Sequence, residues 1–273
     1  MSPMRILLTN DDGITAPGLA ALHHAVQHLG EVVTIAPASV QSAMSHSVTF
    51  HRPIATRRVE VQSDEPPASF TGTAVEGSPA DCVKLALARL LDSPVDLVVS
   101  GINAGANIGI NVIYSGTVAA AMEAGFLGVP AIAVSLHIGD ARKTRWARAA
   151  ELARGVIEQA VQGPLRPHSV LNVNIPVLDG GAEPVGVRVV PISTSPLFDR
   201  YDESENPAGD RQYEAMGGLR FRHTPPDSDV EAVFARHITL TPLHFDMTDH
   251  ARLAAWRSHV EQVAQANTQG AGT

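Results

Sequence analysis

The sequence predicts an α/β fold of three layers, with helices on both faces of a doubly wound, mostly parallel sheet and a C-terminal extended arm and helix beyond it. Two observations carry this reading. Short apolar runs recur at residues 5–9, 32–36, 96–100, 131–135 and 171–175, too short and too uniformly apolar for anything but buried strands. Between them, residues 18–29, 81–91, 117–126 and 144–161 place apolar side chains at helical spacing. Right-handed crossovers then bring the carboxyl ends of the strands onto one rim.

Each later element follows from a change in pattern. After about Pro191, Ser193-Thr194-Ser195-Pro196 leads into a polar stretch over 199–229 rich in Pro, Gly, Asp and Glu, which reads as a long excursion or hairpin arm. Order returns at 238–243, where Ile238-Thr239-Leu240-Thr241 alternates as a strand does, and 249–264 reads as a closing amphipathic helix. Residues from Asn267 onward read as a frayed tail. The expected organisation is a catalytic core over 1–190, an arm over 191–237, and a C-terminal strand, helix and tail over 238–273.

Bulk properties narrow the function. The 273 residues are 44% apolar, enough for a substantial interior, and carry a formal charge of −8, which argues against binding a nucleic-acid polymer. Cys82 is the single cysteine, so neither an intrachain disulfide nor a thiolate zinc cluster is available. No apolar run reaches membrane-spanning length and no cationic segment precedes the first strand, so the expected setting is the cytoplasm.

The chemistry is expected at Asn10-Asp11-Asp12-Gly13. Two adjacent carboxylates stand at the carboxyl end of the first strand, where open α/β sheets place ligands, and a divalent cation relieves their repulsion. An Asx-rich turn is the bland alternative. The second strand opens into a hydroxyl-dense loop, Ser39-Val40-Gln41-Ser42-Ala43-Met44-Ser45-His46-Ser47, able to coordinate a hard cation or hold phosphate oxygens. His46 stands there as an acid, a phosphate donor or an ordinary polar loop residue.

The run Ser100-Gly101-Ile102-Asn103-Ala104-Gly105-Ala106-Asn107 lets the backbone approach a ligand, and Asn103 offers a neutral amide oxygen at the same rim. Ser115, Gly116 and Thr117 open a small-residue helix whose free N–H groups favour an anion, although a Ser or Thr there is also an ordinary cap. Glycines at every fourth position do not make the dinucleotide pattern, and the phosphate-loop and serine-hydrolase motifs are absent. An all-oxygen donor set suits Mg²⁺ or Mn²⁺.

Six blocks in order along most of the chain resemble the SurE survival-protein nucleotidases, metal-dependent phosphatases of nucleoside monophosphates. They are Asn10 to Gly13 with Ala16-Pro17-Gly18; Gly77-Ser78-Pro79-Ala80-Asp81-Cys82-Val83; Val99 to Gly105; Tyr114-Ser115-Gly116-Thr117 through Glu123; Leu171-Asn172-Val173-Asn174-Ile175-Pro176; and Thr241-Pro242-Leu243. The resemblance implies a Rossmann-like core and hydrolysis of nucleoside 5′-monophosphates, with the 3′ esters an open extension.

The resemblance further implies one cation per subunit on Asp11, Asp12, Ser42 and Asn103. Asn10, Gly13, Ser45, His46, Asn107, Ser115, Gly116 and Thr117 would meet the phosphate or the rest of the substrate. Asp11 and Asp12 would be catalytic, through activated water or through a phospho-aspartate. It also implies a homodimer or homotetramer exchanging C-terminal elements.

Four positions depart from the family pattern: Ala38, Gln41 and Ala43 in the hydroxyl-rich loop, and Asn111, where an acid is usual. A non-catalytic nucleotide or phosphate sensor would use the same loops, and a dinucleotide-dependent oxidoreductase is the remaining class.

Overall fold

The structure is a computed structural model that describes residues 3–64, 67–197, 200–215 and 220–270. One unit runs through Leu243 and a second starts at His244. In chain order the first unit holds β1 (Met4–Thr9), α1 (Pro17–Val26), β2 (Gly30–Pro37), β3 (Thr56–Asp64), β4 (Pro67–Val75), α2 (Pro79–Leu85) and β5 (Leu97–Ala104). It continues through α3 (Gly116–Phe126), β6 (Ala131–Leu136), α4 (Trp146–Gln162), β7 (Val170–Ile175) and β8 (Gly186–Val189). A hairpin of β9 (Tyr201–Glu205) and β10 (Arg211–Ala215), then α5 (Asp229–Phe234) and β11 (His237–Leu243), complete it. The second unit contains α6 (His250–Gly270).

Nine strands form one sheet in the order β3-β4-β2-β1-β5-β6-β7-β11-β8, and only the β3–β4 and β7–β11 pairs are antiparallel. Alternation along the central strands fills both faces. Ile6, Leu8, Val99 and Ile132 pack with Leu19 and Leu22 of α1 and Ile157 of α4. Leu7 and Val98 point to the other face, against Val83 of α2 and Ala121 of α3. The sheet is therefore the middle of three layers, as the alternation of strand and helix patterns predicts.

The chain crosses from β2 on one side of β1 to β5 on the other, so the switch point of the sheet lies between β1 and β5. Ligand crevices of open α/β sheets form there. β5 runs four residues past the sequence expectation, because its pairing with β6 resumes at Asn103–Ser135 after a register shift beyond Ser100. Asn103 thus stands on a strand end. At the other ends, α1 tightens into a 3₁₀ turn over Gln27–Leu29 and α2 widens into a π turn over Ala86–Leu90, so both expected helices are shorter as α-helix.

The stretch from 191 to 237 is not uniform. Its exposed part is the β9–β10 hairpin, whereas Ser193, Ser195, Ser228 and Asp229 are buried. Asp229 caps nothing on the surface. Its carboxylate accepts N–H bonds from Gly109 at 2.7 Å and Ser193 at 2.8 Å. Of the tail expected from Asn267, α6 continues to Gly270 and residues 271–273 lie outside the described residues. No helix among the described residues is long and apolar enough to cross a membrane.

The buried face of α1 contains a titratable group. His23 is 5% exposed, lies 2.8 Å from the Thr34 hydroxyl on β2, and stacks on Phe70 of β4 with ring centroids 3.9 Å apart. Burial, helped by the neighbouring charge of His24, lowers its pKa from 6.5 to about 4. The unfolded chain therefore takes a proton between those values that the folded chain refuses, and stability falls as pH drops through that window. The expected loss from pH 7 to pH 4 is about 3 kcal/mol, at 1.36 kcal/mol per pH unit. Urea unfolding of wild type and His23→Gln at both pH values checks this. Parallel losses in the two proteins would remove His23 as the cause.

Candidate active site

The site begins where β1 ends. Asp11 is 5% exposed, and Thr117 at the start of α3 donates to it twice, through N–H at 3.1 Å and through the hydroxyl at 2.5 Å. A Cβ on Gly116 would lie 2.9 Å from Asp11 Cβ and 3.0 Å from Pro79 Cγ, so a side chain at 116 would push the acid from this seat. Ser115 caps the same helix, its Oγ accepting from the Val118 N–H at 3.1 Å. The anion received by this helix start is the protein's own carboxylate. Thr117, expected to meet phosphate, instead gives both of its donors to Asp11.

Asp12 points along the adjacent strand, where the Ala104 N–H donates to its Oδ2 at 2.8 Å. Burial raises the pKa of Asp11 to about 6, a rise opposed by the Thr117 hydroxyl and reinforced by the charge of Asp12. Burial raises Asp12 as well, against the Ala104 N–H. Neither carboxylate is paired with Lys, Arg or His among the described residues.

Three backbone tethers hold the hydroxyl-rich loop over this pair. The Gln41 N–H donates to the Asp11 carbonyl at 2.7 Å, the Ser45 N–H to the Tyr114 carbonyl at 3.0 Å, and the Ala38 N–H to the Val75 carbonyl at 2.7 Å. Ser45 Oγ adds a bond to the Ile113 carbonyl at 2.8 Å. The result is a cavity of about 240 Å³ whose wall includes Asp11, Ser42, Asn103, Asn107, Asn111 and Ser115. Asn103 donates its Nδ2 to the Gly105 carbonyl at 2.7 Å, which leaves the amide oxygen as the acceptor on offer.

Several expected contacts fall elsewhere. Asn10 and Gly13 bind each other, Nδ2 to carbonyl at 3.0 Å and N–H to Oδ1 at 3.2 Å, and neither reaches the cavity wall. His46 meets Glu123 at 2.7 Å and stacks on Phe126, while the other oxygen of Glu123 takes Lys84 at 3.0 Å. Ser45 spends its donors on the turn over Gly109–Tyr114, and Asp12 stands beside the wall. Cys82 is fully buried, and burial, together with the charge of Asp81, pushes its thiol far above the usual range.

Beneath the cavity lies a polar floor in which Asn107, expected to meet the substrate, is joined by Ser135, Asn172 and Asn174, to which the sequence reading gave no role. Asn107 donates its N–H to Asn174 Oδ1 at 2.8 Å and its Nδ2 to Ser135 Oγ at 2.8 Å. Its carbonyl accepts from Asn172 at 2.9 Å and from Asn174 at 3.1 Å. The signal was available: Asn172 and Asn174 alternate on one side of an otherwise apolar central strand, a costly placement unless both are bonded. Asn111, where the family pattern has an acid, and Tyr114, which opens the fourth family block, also enter the wall from the turn over Gly109–Tyr114.

The family model described as Survival protein SurE matches residues 6–197. The chain belongs to the SurE family. Among SurE relatives, a protein of Rhodopirellula baltica named 5′-nucleotidase SurE is 45% identical over 248 residues, covering 90% of this chain and 94% of its own. One of the same name from Myxococcus xanthus is 46% identical over 255 residues, covering 92% of this chain and 91% of its own. The solved SurE protein of Aquifex aeolicus superposes with a TM-score of 0.77 at 33% identity, over 92% of this chain and 97% of that one. The SurE model match ends at 197, short of the β9–β10 hairpin, α5, β11 and α6, yet the relatives align over nine-tenths of the chain.

Proposed function

We propose that this chain is a metal-dependent 5′-nucleotidase that hydrolyses nucleoside monophosphates, 5′ esters first and 3′ esters as a wider range, to nucleoside and phosphate. The observation that carries the reading is the meeting of Asp11, Ser42 and Asn103 in one cavity beside Asp12, at the switch point of a SurE-family sheet. The relatives of Rhodopirellula baltica and Myxococcus xanthus, both named 5′-nucleotidase SurE, agree with it.

The donor set fits a hard divalent cation. It offers two carboxylates without a cationic partner among the described residues, a hydroxyl, and an amide oxygen left open by the Asn103–Gly105 bond. Asp11, Asp12, Ser42 and Asn103 would hold one Mg²⁺ or Mn²⁺ per subunit. When bound, the cation supplies Lewis-acid polarisation of a phosphoryl oxygen.

The protein's own residues do the positioning. Thr117 fixes Asp11 from two directions, and the Ala104 N–H fixes Asp12, so both acids are oriented before substrate arrives. The loop tethered at Gln41 and Ser45 carries Ser42 to the opposite wall. Asn107, bonded through its N–H, its Nδ2 and its carbonyl to β6 and β7, gives the phosphate a fixed floor. Asn111 offers hydrogen bonds but no charge, which suits orientation of the leaving group or loop better than proton transfer.

A phosphate-release screen over nucleoside monophosphates, with Mn²⁺ and with EDTA, tests the reading. Release in Mn²⁺ that stops in EDTA is expected. Binding of AMP without release would favour a sensor.

We further infer a homodimer or homotetramer. Helix α6 exposes Trp256, Val260 and Val263 at helical spacing, with Trp256 65% exposed, and the hairpin exposes Tyr201 and Tyr213. Apolar stripes of this kind are covered in assemblies. Sedimentation should show a dimer or tetramer at micromolar concentration, and Trp256→Glu with Val260→Glu should shift it toward monomer. A wild-type monomer that is fully active would end this part of the reading.

A further inference from the structure

A second cavity opens on the same rim, one strand pair away, where Pro37 of β2 pairs with Val75 of β4. It measures about 580 Å³, and its wall includes Gln41, Met44, Ser47, Arg52, Arg57 and Glu76. The loop over 38–47 is the partition, since Ser42 and Ala43 line the first cavity and Gln41 and Met44 line the second.

The chemistry of the second cavity is cationic and rich in donors. Among the described residues the half-buried guanidinium groups are matched to acids, Arg5 to Asp92, Arg148 to Glu183 and Arg188 to Glu231 among them, whereas Arg52 and Arg57 stand exposed at the mouth of this cavity. Arg52 and Arg57 have no ion pair or side-chain hydrogen bond among the described residues, and Glu76 pairs with neither. Two open guanidinium forks match the oxygens of a phosphate, which such forks bind in pairs of charge-assisted bonds.

Size points the same way. At about 240 Å³ the first cavity lies below the range of roughly 300–1,000 Å³ that small-molecule sites occupy, so it has room for the reacting phosphate but is small for a whole nucleotide.

We propose that the Arg52–Arg57 cavity binds a second phosphate of the substrate, so that nucleoside bisphosphates, with one phosphate at each end of the ribose, are the preferred substrate class. This rests on the nucleotidase reading and deepens it. The reaction is unchanged: water adds to one phosphorus, its ester oxygen leaves with a proton, and the other phosphate stays on the sugar.

The test compares AMP with adenosine 3′,5′-bisphosphate. The full-length protein is titrated calorimetrically with each ligand in EDTA, and initial rates of phosphate release from each are measured in Mn²⁺. The bisphosphate should bind roughly 10- to 100-fold more tightly and show a correspondingly lower KM. In the double variant Arg52→Gln, Arg57→Gln the advantage should collapse to less than about twofold, through KM and not kcat, with an unchanged melting temperature. Equal binding of the two ligands by wild type, or an advantage that survives in the double variant, would overturn the proposal. Absence of phosphate release from both ligands would end the nucleotidase reading, while the calorimetric comparison would still decide the second phosphate site.

Discussion

Asp11→Asn should lower phosphate release on the order of 10³-fold while leaving the cation-free protein at least as stable as wild type. The two halves of this expectation have one origin. Asp11 is a buried carboxylate whose ionised form is disfavoured by burial and by the charge of Asp12. Asn keeps the shape, accepts the Thr117 N–H, and returns a donor to the Thr117 hydroxyl, so the hydrogen bonds survive and the charge is gone. What is lost is an anionic ligand for the cation. Adding Mn²⁺ should therefore raise the melting temperature of wild type but barely move that of the variant. A variant that stays active in EDTA, or that melts well below wild type without metal, would show that Asp11 is structural.

The second large effect is expected at Gly18→Ala. A Cβ there would stand 2.2 Å from the Ile102 carbonyl oxygen and 2.8 Å from the Trp146 ring, closer than atoms can sit. The ring can turn. The backbone has little room to follow, because Ile102 is fully buried at the register shift between Ser100 and Asn103 of β5. Overpacking of this kind costs roughly 3 kcal/mol. The displaced strand end carries Asn103, so turnover should fall with stability. Gly155→Ala in α4 is the matching control, since a Cβ there meets nothing within 4 Å and the change should stabilise by roughly 0.5–1 kcal/mol. Urea unfolding and phosphate release on both variants separate the two cases. A tolerant Gly18→Ala would mean that α1 can lift from β5.

The central sheet was legible because its strands are buried on both faces and read as apolar runs. The β3–β4 hairpin was not. Over Thr56–Asp64 the apolar residues are Val59 and Val61, the neighbouring arginines and Glu60 face solvent, and an edge strand of this kind has no period strong enough to read. β8 has the same weakness, with Val187 and Val189 exposed.

For the site, the acidic pair, the loop serine and Asn103 could be named from motifs and from the rule that strand ends share a rim. The partners of each polar group could not. Nothing in Ser115-Gly116-Thr117 says whether its donors face an incoming phosphate or a carboxylate 106 residues away, and the fold gives them to Asp11. His46 likewise finds Glu123, 77 residues further on, a pairing that no local pattern encodes.

The buried Asp229 carboxylate reaches back 120 residues to the N–H of Gly109. Phe221, Val230 and Val233 close the small cluster under Ala106 and Ile108. A ribosome adding about 5–20 residues per second needs roughly 6 to 24 seconds to cover that interval. Until then the glycine-rich segment lacks that support, and the Asn107 floor itself waits for Asn172 and Asn174 of β7. The completion of the cavity is therefore a late event in the birth of the molecule, timed by the arrival of one carboxylate.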